Sequence, residues 1–139
     1  MYSQDCILYR APIRKPFSLR VLVLVVEDEA MISGFLGDVL TTMGHQVCAS
    51  AQAEDEAVAA AQHTRPDLMI VDVNLSSGSG LAAIDRISRA GFLPHIPMSG
   101  DRATLAARDH AVTITKPFTE RNLAGAINRA MQTSYQPAR

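Results

Sequence analysis

The sequence predicts an α/β protein: a doubly wound, five-stranded parallel sheet with helices on both faces. Short runs rich in Val, Leu and Ile alternate with segments whose apolar residues recur every three or four positions. The strongest of those runs are apolar at consecutive positions, the pattern of strands covered on both faces. Strands alternating with helices in this way build a parallel sheet.

The elements follow in order. Residues 1–18 carry Arg10, Arg14, Lys15, Pro12 and Pro16 without a period of 2 or 3.6, and read as a flexible extension. The domain proper is expected over 19–133. Leu19 to Val26 is a first buried strand. Ile32, Phe35, Leu36, Val39, Leu40 and Met43 mark an amphipathic helix that Gly44 stops. Gln46 to Ser50 is a short strand. Ala53 to His63 is an alanine-rich helix with acids in its first turn, where the helix dipole favours them, and Arg65-Pro66 breaks it. Leu68 to Val71 is a strand running into Asp72. Ser76 to Gly80 is a loop, and Leu81, Ile84 and Ile87 mark a third helix closed by Gly91. His95 to Ser99 is a weaker strand, whose Pro97 suggests an irregular or edge-like segment. Thr104 to Asp109 forms a short fourth helix at most. Val112 to Thr115 is the last strand, Thr119 caps a final helix through Leu123, Ile127 and Met131, and the tail 134–139 reads as disordered. Five strands of this size suit a flavodoxin-like sheet, whose sites lie at the carboxyl ends of strands where the strand order reverses.

Composition narrows the function classes. The chain's 139 residues suit one domain that buries a core without disulfides. That core is aliphatic, since apolar residues make up 47% and aromatic ones 5%, with no Trp. A net charge of −1 points to neither nucleic acid nor an anionic membrane as partner. Cys6 and Cys48 form no C-x-x-C pair and read as reduced thiols. No run is long enough to span a membrane, and the N-terminus lacks a signal-peptide pattern. A cytoplasmic protein is the expectation.

The chemistry is expected at the strand ends. The first strand runs into Glu27 and Asp28, the third into Asp72, the fourth into Ser99 and the fifth into Lys116. Each of these alone is an ordinary turn or surface residue. Converging on one sheet edge, they form a set. Three adjacent carboxylates repel one another unless a cation sits among them, and Mg²⁺ suits an all-oxygen site of this kind. Lys116 adds fixed positive charge and Ser99 a hydroxyl. An aspartate so surrounded is equipped to accept a phosphoryl group.

These residues lie in stretches that resemble the receiver domains of two-component signalling: L-V-L-V-V-E-D-E (Leu22 to Glu29), P-D-L-M-I-V-D-V-N-L (Pro66 to Leu75) and T-K-P-F (Thr115 to Phe118). The resemblance covers about Val21 to Met131. It implies that Glu27 and Asp28 hold Mg²⁺ with Asp72 and the backbone carbonyl of Asn74. Asp72 is then the phosphoacceptor, Ser99 the switch hydroxyl, Gly100 the small residue leaving access for the donor, and Lys116 the partner of a phosphoryl oxygen. It also implies a cis Lys116-Pro117 bond and a phosphodonor on a histidine kinase or histidine phosphotransfer protein, with a downstream effector as the second partner. The chain departs from the family pattern at Thr113, where an aromatic is usual, at Ser76, where a proline is common, and in a short stretch between Ser99 and Lys116. These features resemble the FATGUY receiver subgroup, with Pro97-Met98-Ser99-Gly100 in place of its F-A-T-G.

Two other readings compete with a phosphorylated switch. A haloacid dehalogenase-like phosphatase needs an acid two residues after the nucleophile, where this chain has Asn74. A pseudo-receiver that is never phosphorylated is disfavoured by the intact set of acids, Ser99 and Lys116. No G-x-G-x-x-G follows the first strand, which argues against a dinucleotide site.

Overall fold

The computed structural model describes residues 20–106, 110 and 112–133. The expected N-terminal extension, the expected tail and Cys6 lie outside the described residues. The elements are β1 (Leu22–Val26), α1 (Ala30–Thr42), β2 (Gln46–Ala51), α2 (Glu54–Thr64), β3 (Leu68–Asp72), α3 (Gly80–Ser88), β4 (His95–Ser99), α4 (Arg102–Ala106), β5 (Ile114–Thr115) and α5 (Glu120–Thr133). All strand pairs are parallel, in the order β2-β1-β3-β4-β5. The flavodoxin-like expectation holds.

The strands sort their side chains by parity into two cores. Val23, Val25 and Ile70 face Leu36 and Leu40 of α1 and Leu123 and Ile127 of α5. Leu24, Val26, Met69 and Val71 face Ala57 and Ala61 of α2 and Ala83, Ile84 and Ile87 of α3. Every residue of β3 is buried, which is why Leu68 to Val71 form an unbroken apolar run ahead of Asp72. Small alanines on α2 let that helix lie close to the sheet.

Local signals set the boundaries. Gly44 ends α1 at φ 93°, a left-handed conformation that glycine adopts without strain. Arg65 adopts the same region at φ 50° as the C-cap of α2, ahead of Pro66. Thr119 and Asn122 exchange hydrogen bonds at the start of α5: Asn122 N–H donates to Thr119 Oγ1 and Thr119 N–H to Asn122 Oδ1, both at 3.0 Å.

Three expectations need correction. Pro97 does not mark an edge, because β4 lies between β3 and β5. Met98 C=O accepts from Val73 N–H, and Ser99 C=O from Lys116 N–H. Alternation along the strand therefore turns the position of Pro97's missing donor toward β5, whose pairing with β4 begins only at Met98↔Ile114. The fourth helix is short, as expected, but begins at Arg102 rather than Thr104, and positions 107–109 of its expected span lie outside the described residues. Asp101 caps it, accepting from Ala103 N–H at 2.9 Å and Thr104 Oγ1 at 3.0 Å. The first and last strands are shorter than their apolar runs, starting at Leu22 and Ile114.

A pH dependence of stability follows from His45. Its Nδ1 accepts the Val21 N–H at 3.2 Å, which requires an unprotonated Nδ1, and burial lowers its pKa below 6.5. The unfolded chain therefore takes up this proton at higher pH than the folded one. This contribution is complete above about pH 6.5 and shrinks as pH falls through that value. Urea unfolding at about pH 7.5 and 5.5 should show a smaller acid loss for His45→Asn than for the unaltered protein. Equal losses in the two would count against it.

Candidate functional site

Strand order reverses between β1 and β3: the chain leaves β1 toward β2 on one side and β3 toward β4 on the other. The site forms at the carboxyl ends of these two strands, as such sheets place it. Glu27 directly follows β1, Asp72 ends β3, Ser99 ends β4, and Lys116 follows β5. All three of Glu27, Asp72 and Ser99 are buried, Glu27 to 1% exposure.

The acidic residues meet as expected. Glu27, Asp28 and Asp72 each offer a carboxylate oxygen, all within 4.8 Å of one another. Lys116 Nζ donates to Glu27 Oε1 at 3.0 Å and to Asp72 Oδ2 at 3.2 Å. The bond from Lys116 to Pro117 is cis. Ser99 Oγ accepts from Asp101 N–H at 3.0 Å and from Asn74 Nδ2 at 3.4 Å, leaving its own proton to give. Asn74 N–H donates to Asp72 Oδ1 at 3.0 Å. Gly100 is exposed beside Ser99, with open space where a side chain would stand.

Electrostatics follow from this packing. Burial pushes the Glu27 carboxyl up and the nearby Asp72 charge adds to the shift, against the pull of Lys116 and the Glu29 N–H. Burial pulls Lys116 down, but its hydrogen bond to Glu27 and the charges of Asp72 and Glu27 outweigh this and hold it above the ordinary lysine value. The hydroxyl and backbone N–H of Ser76 hold Asp28 below the usual carboxylate range. Among these residues one ammonium faces three carboxylates. A hard cation with oxygen ligands fits the deficit.

Sequence reasoning did not assign two features of this site. Ser76 N–H and Oγ both donate to Asp28 Oδ2, each at 2.6 Å. Glu54 Oε1 accepts from Ser79 N–H at 3.0 Å, while Arg86 Nη1 reaches Glu54 Oε2 at 3.0 Å and Asp55 Oδ1 at 2.6 Å. The loop after Asp72 is thus held from β1 on one side and from α2 on the other. Such pairs, up to 48 residues apart in sequence, leave no mark in periodicity.

The fold and this cluster define a flavodoxin-like domain with a carboxylate–lysine site at its topological switch point. Over residues 23–128 the sequence matches the response regulator receiver domain, and the chain belongs to that family, the receiver domains of two-component signalling. It is 32% identical over 114 residues to the phyllosphere-induced regulator PhyR of Methylorubrum extorquens, covering 78% of this chain and 43% of that protein. It is 32% identical over 114 residues to the transcriptional regulatory protein PdtaR of Mycobacterium tuberculosis, covering 78% of this chain and 56% of that one. The chain spans about half the length of these curated relatives. Among solved structures, PhyR of Brucella abortus superposes with a TM-score of 0.78 at 25% identity, covering 86% of this chain and 51% of that one. The receiver domain of Erythrobacter litoralis PhyR superposes at 0.77 with 27% identity, covering 86% and 96%. No helix among the described residues is long and apolar enough to cross a membrane.

Proposed function

We propose that this receiver domain is a phosphorylation switch whose acceptor is Asp72 and whose cofactor is Mg²⁺. The observation that carries this reading is the meeting of Glu27, Asp28 and Asp72 beside Lys116. Glu27, Asp28, Asp72 and the main-chain carbonyl of Asn74 would hold the ion. When bound, it supplies positive charge against the oxygens of the phosphoryl group.

The remaining steps belong to the chain's own residues. The phosphodonor is a phosphohistidine on a histidine kinase or histidine phosphotransfer protein. A carboxylate oxygen of Asp72 forms a bond to phosphorus as the P–N bond breaks, and the electron pair leaves with the imidazole nitrogen. Lys116 stays beside Asp72 and pairs with a phosphoryl oxygen. Ser99 donates its free proton to another. Gly100 leaves the donor a way in. The added negative charge biases the surface presented to an effector protein. The domain accepts a phosphoryl group rather than turning over a substrate. The amide at Asn74, where a phosphatase of the competing class keeps an acid, supports that reading.

Intact mass after incubation with Mg²⁺ and acetyl phosphate tests it. One added phosphoryl group is expected, lost on chelation of Mg²⁺ and lost in Asp72→Asn. The pseudo-receiver reading would replace this one if neither acetyl phosphate nor a phosphohistidine donor modified the chain and Mg²⁺ failed to bind.

A further inference from the structure

The three acids of the site are not held alike. Glu27 and Asp72 are buried, and Lys116 Nζ stands 3.0 Å from Glu27 Oε1 and 3.2 Å from Asp72 Oδ2. Asp28 is half-buried and forms no ion pair with that ammonium. Like charges this close push one another apart. A half-buried carboxylate without a counter-charge would turn to solvent, away from Glu27 and Asp72. Asp28 does not, since one carboxylate oxygen from each of the three lies within 4.8 Å of the others.

Ser76 supplies the restraint. Its N–H and its hydroxyl both donate to Asp28 Oδ2, each at 2.6 Å, the short distance of bonds to a charged acceptor. Two donors on one oxygen restrict rotation of the carboxylate, and neither bond uses Oδ1, which keeps its own lone pairs. Ser76 is exposed and packs in neither core, so these bonds are its main contribution. Alanine at this position would keep the N–H and lose the hydroxyl, and proline would have neither donor.

The loop that carries Ser76 is itself anchored at both ends. Asn74 N–H donates to Asp72 Oδ1 at 3.0 Å on the side of β3. On the side of α2, Glu54 N–H donates to Ser77 C=O at 3.2 Å and Ser79 N–H to Glu54 Oε1 at 3.0 Å. Between these bonds Gly78, at φ 83°, passes so close to α2 that an added Cβ would stand 2.5 Å from Glu54 Cβ. Ser76 is thus a donor on a fixed support rather than on a free loop.

We infer that Ser76 is a positioning residue for Mg²⁺, whose hydroxyl and N–H hold the Asp28 carboxylate beside Glu27 and Asp72 before the ion arrives. The inference rests on the Mg²⁺ site of the proposed function and adds a residue that does not touch the ion. Lys116 restrains two of the acids by charge, and Ser76 restrains the third by hydrogen bonds. Without the hydroxyl, binding of the ion has to gather Asp28 back from solvent, and affinity falls. Outer partners of metal-binding carboxylates commonly act in this way, and their loss weakens metal binding by about 10–100-fold.

The test uses the whole unphosphorylated chain and Mg²⁺ alone, with Kd read from amide shifts in an NMR titration. Ser76→Ala is expected to raise Kd by about tenfold, and Ser76→Thr, which keeps a hydroxyl, should stay near the parental value. In an Asp28→Ala background, adding Ser76→Ala should change Kd no further, a coupling that a general loosening of the loop would not produce. Equal Kd for Ser76→Ala and the parent overturns the proposal. So does tighter binding by Ser76→Ala, which would make the hydroxyl a competitor of the ion, and so does an undiminished Ser76→Ala effect without Asp28. If the parent itself failed to bind Mg²⁺, the Mg²⁺ reading of the site would fall and this proposal with it.

Discussion

Gly80→Ala is expected to destabilise the domain by about 3 kcal/mol or more, at or above the upper end of what overpacking a core usually costs. Gly80 opens α3 and is buried, and its N–H donates to Val73 C=O at 3.2 Å. A Cβ placed there would stand 2.8 Å from both the carbonyl carbon of Asp72 and Cα of Val73, and closer still to the Asp72 carbonyl oxygen. All three are backbone atoms in or just beyond a fully buried strand, so no side-chain rotation relieves the clash. Either α3 lifts from the sheet or the end of β3 shifts, and the second moves the acceptor aspartate. Gly37→Ala provides the opposite sign. Gly37 lies within α1 with nothing within 4 Å of its added Cβ, so alanine there should stabilise by about 0.5–1 kcal/mol through helix propensity. Urea unfolding of the two variants beside the parent checks both. Near-parental stability for Gly80→Ala would show that α3 and the loop give way more easily than their packing implies.

The strands were legible because burial on both faces leaves an unbroken apolar run, as in Leu68 to Val71, and because a run ends where the strand meets the site. Glu27, Asp28, Asp72, Ser99 and Lys116 stand at such ends, so a fold class was enough to bring them together. Pro97 misled because the rule that proline avoids interior strands concerns a lost ladder bond, and β5 is too short to reach that position. The clamps on the loop after Asp72 were not legible. Ser76 to Asp28 and Glu54 to Ser79 are polar contacts between loops and helix ends, set by topology rather than by any local period.

Lys116→Met is expected to cost about 3 kcal/mol near neutral pH, toward the low end for breaking a buried ion pair because Lys116 keeps 19% of its side chain exposed. Methionine fills much of the lysine stem's volume, so the loss is electrostatic. Glu27, with a side chain at 0% exposure, and Asp72 are left facing each other without the ammonium. Burial already holds the Glu27 carboxyl above its ordinary value, and loss of Lys116 removes an opposing pull. In the variant the folded state therefore keeps the Glu27 proton to higher pH than the unfolded chain does. Stability is greatest below the ordinary carboxylate range and declines as pH rises through the folded-state value. The variant should thus lose more relative to the parent at about pH 8 than at about pH 5. Adding Asp72→Asn to Lys116→Met removes one of the repelling charges and should restore part of the loss, a coupling that a double-mutant cycle reads directly. Mg²⁺ should stabilise Lys116→Met more than it stabilises the parent, since the ion then replaces the only ammonium in contact with these carboxylates among the described residues. Urea unfolding at the two pH values, with and without Mg²⁺, measures all of this. A pH-independent loss that Mg²⁺ leaves unchanged would mean that Lys116 acts through packing alone, and the electrostatic account of the site would have to be given up.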